Sequence, residues 1–360
     1  MTAPSPADPA PASGSDTSPE GAVEVAGGVS TQAASVLTGL GAAARSRIAK
    51  VVFWGNLLCQ MGIIVTGGVV RLTGSGLGCS TWPNCEPGTF TPELTMAAGI
   101  HPFIEFGNRA LTGVLSVFSF ALLLVAFLWL RHKGSGFLAL AAVPLIGTGV
   151  QAIVGAVVVW MDLHPGMVSP HFLISPILVA LSAVLVVRLY GGDGERHSLV
   201  PAALRWMVAA MAALGFLVLV LGTLVTGSGP HAGDPDSPRL PLDPRTISWL
   251  HADAVMLFCG LLVGLLIALH LIRTARPARH AAWGLVIVTL LQAGIGYLQY
   301  FTGLPEILVG AHMLGAALFA AAIAWCGAAL YSWRPAAPDE SAVIALDADG
   351  TPITAQDGPR

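Results

Sequence analysis

Charged residues are scarce in this chain of 360 residues. Asp, Glu, Lys and Arg together make up 10% of it, whereas hydrophobic residues make up 54%. A soluble protein of this length could not cover its surface with so few charges, so the composition predicts a polytopic membrane protein. Runs of basic residues are also missing, which removes support for nucleic-acid binding. The five cysteines are too few for a disulfide scaffold.

Both ends of the chain lack hydrophobic periodicity. Residues 1–45 are rich in Pro, Ala, Ser and Gly, and residues 335–360 are polar and mildly acidic. Such compositions favour disordered tails. No apolar core follows an early positive charge, so the first 45 residues do not resemble a signal peptide.

Eight apolar segments fill the part of the chain between these tails, and each is close to the ~20 residues that cross a bilayer. They comprise residues 51–70, 106–130, 137–160, 170–190, 204–226, 248–272, 282–303 and 308–331. The segments predict an all-α, multi-pass membrane protein with eight transmembrane helices.

Lys and Arg are distributed unevenly between the ends of these segments. One set of ends holds 13 of the 17 basic residues, and the opposite loops hold the other four. Those four are Arg71, Arg109, Arg239 and Arg245. The positive-inside rule therefore predicts that both termini of this cell-membrane protein are cytoplasmic.

The two halves of the chain share an internal repeat. Five positions recur with the same spacing and without a gap, and residues 62–67 resemble residues 222–227. The matched positions are Gln151, Gly155, Leu163, Val168 and His171 in one half and Gln292, Gly296, Leu304, Val309 and His312 in the other. Each copy holds four helices, so an axis along the membrane normal should relate the copies. We predict two fused four-helix bundles, residues 46–192 and 193–334.

Histidines open the helices of the second half. His251 precedes the apolar run of the sixth segment and His312 that of the eighth, both just after an outer loop. Two neutral imidazoles that face one another across a bundle are suitable axial ligands for a six-coordinate heme iron. The repeat makes His171 the counterpart of His312 and Asn108 the counterpart of His251. The first half therefore has a histidine opposite an asparagine.

A polar cluster precedes the second apolar segment. His101, Glu105 and Asn108 lie at i, i+4 and i+7, so they share one face of a helix that Pro102 would begin. Glu105 could form a structural ion pair with Arg109. It could instead accept a proton or stabilise positive charge on a bound substrate.

The outer loops hold the remaining candidates. Cys79 and Cys85 flank five residues, and a disulfide between them is plausible because the outer face of a bacterial-type membrane is oxidising. Arg71 and Arg109 suit the carboxylates of a porphyrin, although loop solvation is an equal alternative. The outer loops also contain His164 and His231. Gating, contacts with heme propionates and plain solvation are alternative roles for these two histidines.

Several of these segments resemble the heme A synthase family. The resemblance lies in residues 68–79 (Gly-Val-Val-Arg-Leu-Thr-Gly-Ser-Gly-Leu-Gly-Cys), 82–85 (Trp-Pro-Asn-Cys) and 104–109 (Ile-Glu-Phe-Gly-Asn-Arg). The glycine-rich loop with its cysteine pair is specific, and the duplicated bundle with its histidines adds to it. The resemblance covers all eight predicted helices and leaves out both tails.

This resemblance implies oxidation of the C8 methyl group of heme O to a formyl group, which gives heme A for cytochrome oxidase. Members carry out successive hydroxylations, and a gem-diol then loses water. His251 and His312 would hold a resident heme b. The first half would hold the substrate heme, with His171 as an axial ligand and Glu105 as the catalytic carboxylate. The outer-loop disulfide of the family would join the two loop cysteines.

The chain departs from the family at one position. Many members have Glu-x-x-His where this chain has Glu105-Phe-Gly-Asn108. Asparagine is a poor heme-iron ligand. Either the substrate iron is held by His171 alone, or His101, two turns back on the same face, supplies the missing ligand. We slightly favour His101.

Two other functions fit parts of the pattern. A bis-histidine b-type cytochrome that only relays electrons would need two similar heme sites. A transporter with parallel repeats would have interrupted helices with polar groups at mid-membrane. Glu105 corresponds to Ser248 in the repeat, and this asymmetry favours a substrate site in one bundle. Pathway logic makes a heme O synthase a candidate partner. The sequence does not identify the electron acceptor, and a homo-oligomer is one of the oligomeric states that it leaves open.

Overall fold

The computed structural model describes residues 41–93, 99–272 and 276–334. Within these residues it has eight helices long and apolar enough to cross a membrane. They are α1 (Ala42–Leu72), α2 (His101–Trp129), α3 (Ser135–Trp160), α4 (Pro165–Tyr190), α5 (Ala202–Ser228), α6 (Pro244–Leu271), α7 (Arg276–Phe301) and α8 (Glu306–Ala328). The predicted multi-pass architecture is confirmed.

The predicted tails fall outside the described residues except for residues 41–45, of which 42–45 belong to α1. A compact unit begins at Arg47, and all of the contacts reported below lie within it.

The helices begin earlier than the apolar segments because polar residues and prolines form their first turns. Pro102, Pro165 and Pro244 lie in the first turns of α2, α4 and α6. Proline suits this position because the N–H that it lacks would have no partner within the helix. Asp243 caps α6 by accepting a hydrogen bond of 2.9 Å from the backbone N–H of Thr246. The hydrogen bonds from Thr246 lower the pKa of Asp243.

Each bundle packs its own apolar core. In the first half, Phe53 stacks on Phe137 with ring centroids 6.1 Å apart. In the second half, Phe258 and Phe319 make an edge contact at 4.9 Å. The bundles meet where α4 and α8 pack against each other, and Ala317 of α8 lies in the first-half core. The outcome is two fused four-helix bundles, as the repeat predicts.

The repeat is also visible in the backbone. Leu163 precedes α4 and has φ 58°, and its matched residue Leu304 precedes α8 and has φ 61°. A positive φ is uncommon for a residue with a side chain of this size. Because both matched leucines have a positive φ, we infer that the two loops share one conformation.

The even-numbered helices all begin at one end of the molecule, which we call the histidine end because it holds His171, His251 and His312. The opposite end carries a small antiparallel sheet that the sequence analysis did not predict, formed by β1 (Glu195–Ser198) and β2 (Tyr331–Arg334). This sheet joins the segment between the bundles to the chain that follows α8.

Candidate functional site at the histidine end

The second half holds a pair of facing imidazoles. The ring centroids of His251 on α6 and His312 on α8 are 6.5 Å apart, and the planes of the two rings differ by 69°. An imidazole nitrogen lies about 2 Å from a metal that it ligates, and the ring centre about 1 Å behind it, so two imidazoles on opposite sides of one ion have centroids about 6 Å apart. The spacing therefore fits a metal ion between the rings.

The described residues contain no group of three or more His, Cys, Asp or Glu side chains that could hold a metal ion by themselves. A heme iron needs only two protein ligands, because the porphyrin supplies the other four. The pair of imidazoles therefore fits a heme better than a bare metal ion.

One ring of this pair has a defined tautomer. His251 Nδ1 lies 2.9 Å from the carbonyl oxygen of Val218. A carbonyl oxygen can only accept, so Nδ1 donates the hydrogen and the lone pair is on Nε2. Histidines that bind metals are commonly oriented by a hydrogen bond of this kind.

Two glutamines hold the matched histidines of α4 and α8. Gln151 Nε2 donates to the carbonyl oxygen of His171 at 3.0 Å, and Gln292 Nε2 donates to that of His312 at 2.7 Å. Nδ1 of each imidazole is buried without a hydrogen-bond partner among the described residues. Buried polar atoms without partners are rare, so both rings have capacity for an additional ligand. The repeat contains both glutamines, but the sequence analysis gave them no role.

Each of the three imidazoles lies against a glycine of the preceding helix. A Cβ built on that glycine would approach the ring carbon Cε1 to between 3.1 and 3.4 Å. The glycine and histidine pairs are Gly155 with His171, Gly222 with His251 and Gly296 with His312. Glycine therefore provides the room that each ring occupies.

The first half differs at Asn108, the counterpart of His251. The side-chain oxygen Oδ1 of Asn108 accepts a hydrogen bond of 2.7 Å from the hydroxyl of Thr66. Gly62, one turn before Thr66, is the counterpart of Gly222. A Cβ on Gly62 would meet no described atom within 4 Å. The first half thus has an open space beside Gly62, where the second half holds an imidazole.

Glu105 lies on α2 one turn nearer the histidine end than Asn108, and only 5% of it is exposed. Its Oε1 accepts hydrogen bonds from Nε and Nη2 of Arg109, at 3.1 and 2.5 Å. Its Oε2 accepts a bond of 2.7 Å from the backbone N–H of Cys79. The structural ion pair is therefore present, and a loop of the chain also fixes the carboxylate.

That loop is closed by the predicted disulfide, which the structure contains between Cys79 and Cys85. Arg109 Nη1 donates to the carbonyl oxygens of Thr81 and Asn84 within the loop, at 2.8 and 3.3 Å. Arg109 thus connects the buried carboxylate to the disulfide loop. Sequence patterns could not reveal these acceptors, because both are backbone atoms.

His101 lies at the first residue of α2 and is exposed. Its Nδ1 is 2.8 Å from the hydroxyl oxygen of Ser75 in the glycine-rich loop. A Cβ on Gly78 would lie 2.6 Å from the backbone carbonyl of His101, so only glycine allows this close approach of loop and helix. His101 therefore packs against the glycine-rich loop at the mouth of the site.

Arg71 joins the two halves. Nη2 donates to the carbonyl oxygen of Thr226 at 2.7 Å, and Nε donates to that of His231. Arg71 Nη1 makes no hydrogen bond with the described residues. The imidazole of His231 in turn contacts the carbonyl oxygen of Leu304 at 3.1 Å. His164, the other outer-loop histidine, caps α4 by accepting from the N–H of Gly166.

Comparison with known proteins shows the family of this chain. The family model described as "Cytochrome oxidase assembly protein" matches residues 50–233, which is half of the chain. The heme A synthase of Listeria welshimeri is 27% identical over 277 residues, which cover 72% of this chain and 88% of the relative. The heme A synthase of Bacillus mycoides is 25% identical over 268 residues, which cover 70% and 83%. The chain belongs to the heme A synthase family.

The match to the family model extends from α1 into the loop that follows α5. It contains the disulfide loop, Glu105, Asn108 and His171, whereas His251 and His312 lie beyond it. The second-half pair is tied to the first half by the internal repeat.

Proposed function

We propose that this protein is a heme A synthase that oxidises the C8 methyl group of heme O to a formyl group. Two successive hydroxylations would give a hydroxymethyl group and then a gem-diol, which loses water. One observation carries the proposal. A histidine pair suited to a resident heme in one bundle corresponds to a single histidine and a buried carboxylate in the other.

The second bundle, residues 193–334, would bind heme b through the iron. His251 and His312 would be its axial ligands, and the spacing of their rings supports this assignment. The bound heme would supply one-electron transfer. Val218 would keep His251 in the tautomer whose Nε2 faces the iron.

The first bundle, residues 46–192, would bind the substrate heme. His171 would be an axial ligand to its iron, and Glu105 would be the catalytic carboxylate. A carboxylate fixed beside the methyl group can accept a proton as a C–H bond is replaced, or can stabilise positive charge on that carbon. Arg109 would be a positioning residue, since it holds Glu105 and the disulfide loop together.

Arg71 and His101 would lie at the edge of the proposed substrate site. Nη1 of Arg71 would be available to a porphyrin carboxylate, because the other two guanidinium nitrogens are occupied by backbone carbonyls. His101 would line the mouth of the site beside Ser75.

We place the protein in the cell membrane with both termini in the cytoplasm. The excess of Lys and Arg at the end opposite the histidine end supports this orientation. The disulfide at the histidine end agrees with an oxidising compartment on that side. A heme O synthase would deliver the substrate, and a separate acceptor would take up the electrons.

The electron-relay alternative requires two similar heme sites. The two halves differ at both positions that would matter, with Asn108 opposite His251 and Glu105 opposite Ser248. Ser248 is half-buried, and its hydroxyl donates to the carbonyl oxygen of Pro244 in its own helix. The difference supports an enzyme over a relay.

Glu105→Gln tests the proposal, with Ser248→Ala as the matched control in the second half. The amide keeps the size of the side chain but cannot accept the proton, so we expect heme A formation to fall about 100-fold or more. Heme b should stay bound, and heme O or a hydroxylated intermediate should accumulate in the chromatogram of extracted hemes. Normal heme A output from Glu105→Gln would rule out the catalytic role.

A further inference from the structure

We infer that the first-half heme iron of this protein has one protein ligand, His171, and an open coordination position beside Asn108 that accepts a small external ligand. The inference rests on the proposed function, because it requires a heme in the first bundle. Of the two alternatives that the sequence leaves open, it adopts the single histidine.

The second half shows where a complete ligand pair lies. His251 reaches Val218 with Nδ1 and lies against Gly222 with Cε1. Its imidazole therefore fills the space beside residues 218–222 of α5. This position puts it opposite the ring of His312.

The same position is unfilled in the first half. Asn108 has a shorter side chain than histidine, and its oxygen is bonded to Thr66. Thr66 lies four residues beyond Gly62, which is about 6 Å nearer the histidine end along α1. The side chain is thus held away from the space beside Gly62, where no described atom would contact a Cβ.

His101 is poorly placed to fill that space. It precedes Asn108 by seven residues, or about 10 Å along the axis of α2. Its imidazole is exposed and already contacts the hydroxyl of Ser75. The loop around Gly78 packs on the backbone of His101, which holds the start of the helix at the mouth of the site.

The chemistry of a heme with one axial histidine differs from that of a heme with two. A heme iron with a free axial position can bind a diatomic molecule or an added imidazole, whereas two histidine ligands occupy both positions. The amide nitrogen of Asn108 makes no hydrogen bond with the described residues, so it could donate one to a ligand bound there. The ligand class is therefore a small diatomic molecule or water.

Carbon monoxide is the probe for this open position. The protein is purified after co-expression with a heme O synthase, so that substrate is supplied, and is then reduced. We expect carbon monoxide to change the spectrum of about half of the bound heme, because only the first-half iron has a free axial position. The second-half heme should not respond.

Asn108→His is the decisive variant, because the repeat shows that an imidazole fits this position. It should restore a histidine pair and reduce the carbon monoxide response at least about tenfold. Asn108→Leu is the matched control, since it removes the amide but adds no ligand. This control should keep the response.

The outcomes separate the inference from the proposed function. His251→Ala should lose the second-half heme and keep the first-half heme. A first-half heme that is present but does not bind carbon monoxide in the wild type would overturn the inference and leave the function intact. Loss of all heme in His251→Ala would instead overturn the proposed function.

Discussion

Each bundle of this molecule places two matched side chains at the histidine end, namely His171 and Asn108 in the first and His312 and His251 in the second. The surroundings of these side chains differ between the bundles. In the second bundle, His251 and His312 face each other, and Asp243 caps the helix that carries His251. In the first bundle, Asn108 occupies the position that corresponds to His251, so His171 has no matched histidine. A disulfide loop there reaches in to hold Glu105.

This difference shows how two copies of a bundle can diverge in chemistry while they keep matched helix contacts. The matched leucines keep the same positive φ, and the matched glutamines keep the same hydrogen bonds. The chemical contrast comes from the disulfide loop and from two positions, where the first half has Asn108 and Glu105 and the second half has His251 and Ser248. On our proposal, they separate a bundle that keeps its heme from a bundle that alters its heme.

Among substitutions outside Glu105 and the proposed heme ligands, removal of the disulfide should have the largest effect on this contrast. In the double variant Cys79→Ser and Cys85→Ser, the loop that bonds to Glu105 and Arg109 loses its closure. A misplaced catalytic group can reduce a rate about 100-fold, so we expect heme A formation to fall by at least about tenfold. The assay is heme A production in membranes.

The control for this prediction is the spectrum of the second-half heme, which should not change. Cys326→Ser serves as a matched cysteine variant, because that thiol is buried far along α8 and forms no disulfide. An unchanged rate in the double variant would show that Glu105 does not depend on the loop for its position.

Arg71→Ala should have the next largest effect, which is a loss of stability. The substitution removes two bonds from a charged donor to the carbonyl oxygens of Thr226 and His231. Hydrogen bonds to charged groups contribute about 1.5–3 kcal/mol each. Because water can partly replace the two lost donors, the free energy of unfolding should fall by roughly 2–4 kcal/mol. Thermal unfolding in detergent measures it.

Arg239→Ala is the matched control, because the described acceptors of Arg239 are carbonyl oxygens of its own loop. Its unfolding temperature should change little. Equal shifts for the two variants would argue against Arg71 as a connection between the halves.

Glycine substitutions should have the smallest effect and should also differ between halves. A Cβ on Gly296 would lie 3.1 Å from Cε1 of His312, so Gly296→Ala should displace that ring by a few tenths of an ångström. We expect a small shift in the spectrum of heme b and weaker retention of it.

Gly62→Ala is the corresponding substitution in the first half, where the Cβ would meet no described atom. It should leave the heme spectrum unchanged. A similar shift in both variants would contradict the open space beside Gly62.

Much of the fold follows from the sequence because its signals are local or periodic. Eight apolar segments, the repeat and the cysteine spacing predicted the helices, the two bundles and the disulfide, all of which are confirmed. The contacts of Arg71 could not be predicted, since their acceptors are backbone carbonyls about 160 residues away. The strand at residues 195–198 has no alternating pattern, and its partner follows α8.

The candidate site was predictable in its residue types but not in its contacts. The repeat identified His171, His251 and His312 as equivalent ends of helices. It also identified the glycines and glutamines, but their roles depend on how neighbouring helices pack. The ligand roles of these histidines and the catalytic role of Glu105 stay predictions.

The most direct test of the account is to extract and identify the hemes of the wild type, His251→Ala and His171→Ala after co-expression with a heme O synthase. We predict heme b together with heme O or heme A in the wild type. His251→Ala should lose only heme b, and His171→Ala should lose only the substrate and product hemes. Heme b alone in the wild type, lost in part by each variant, would contradict a division of roles between the two bundles.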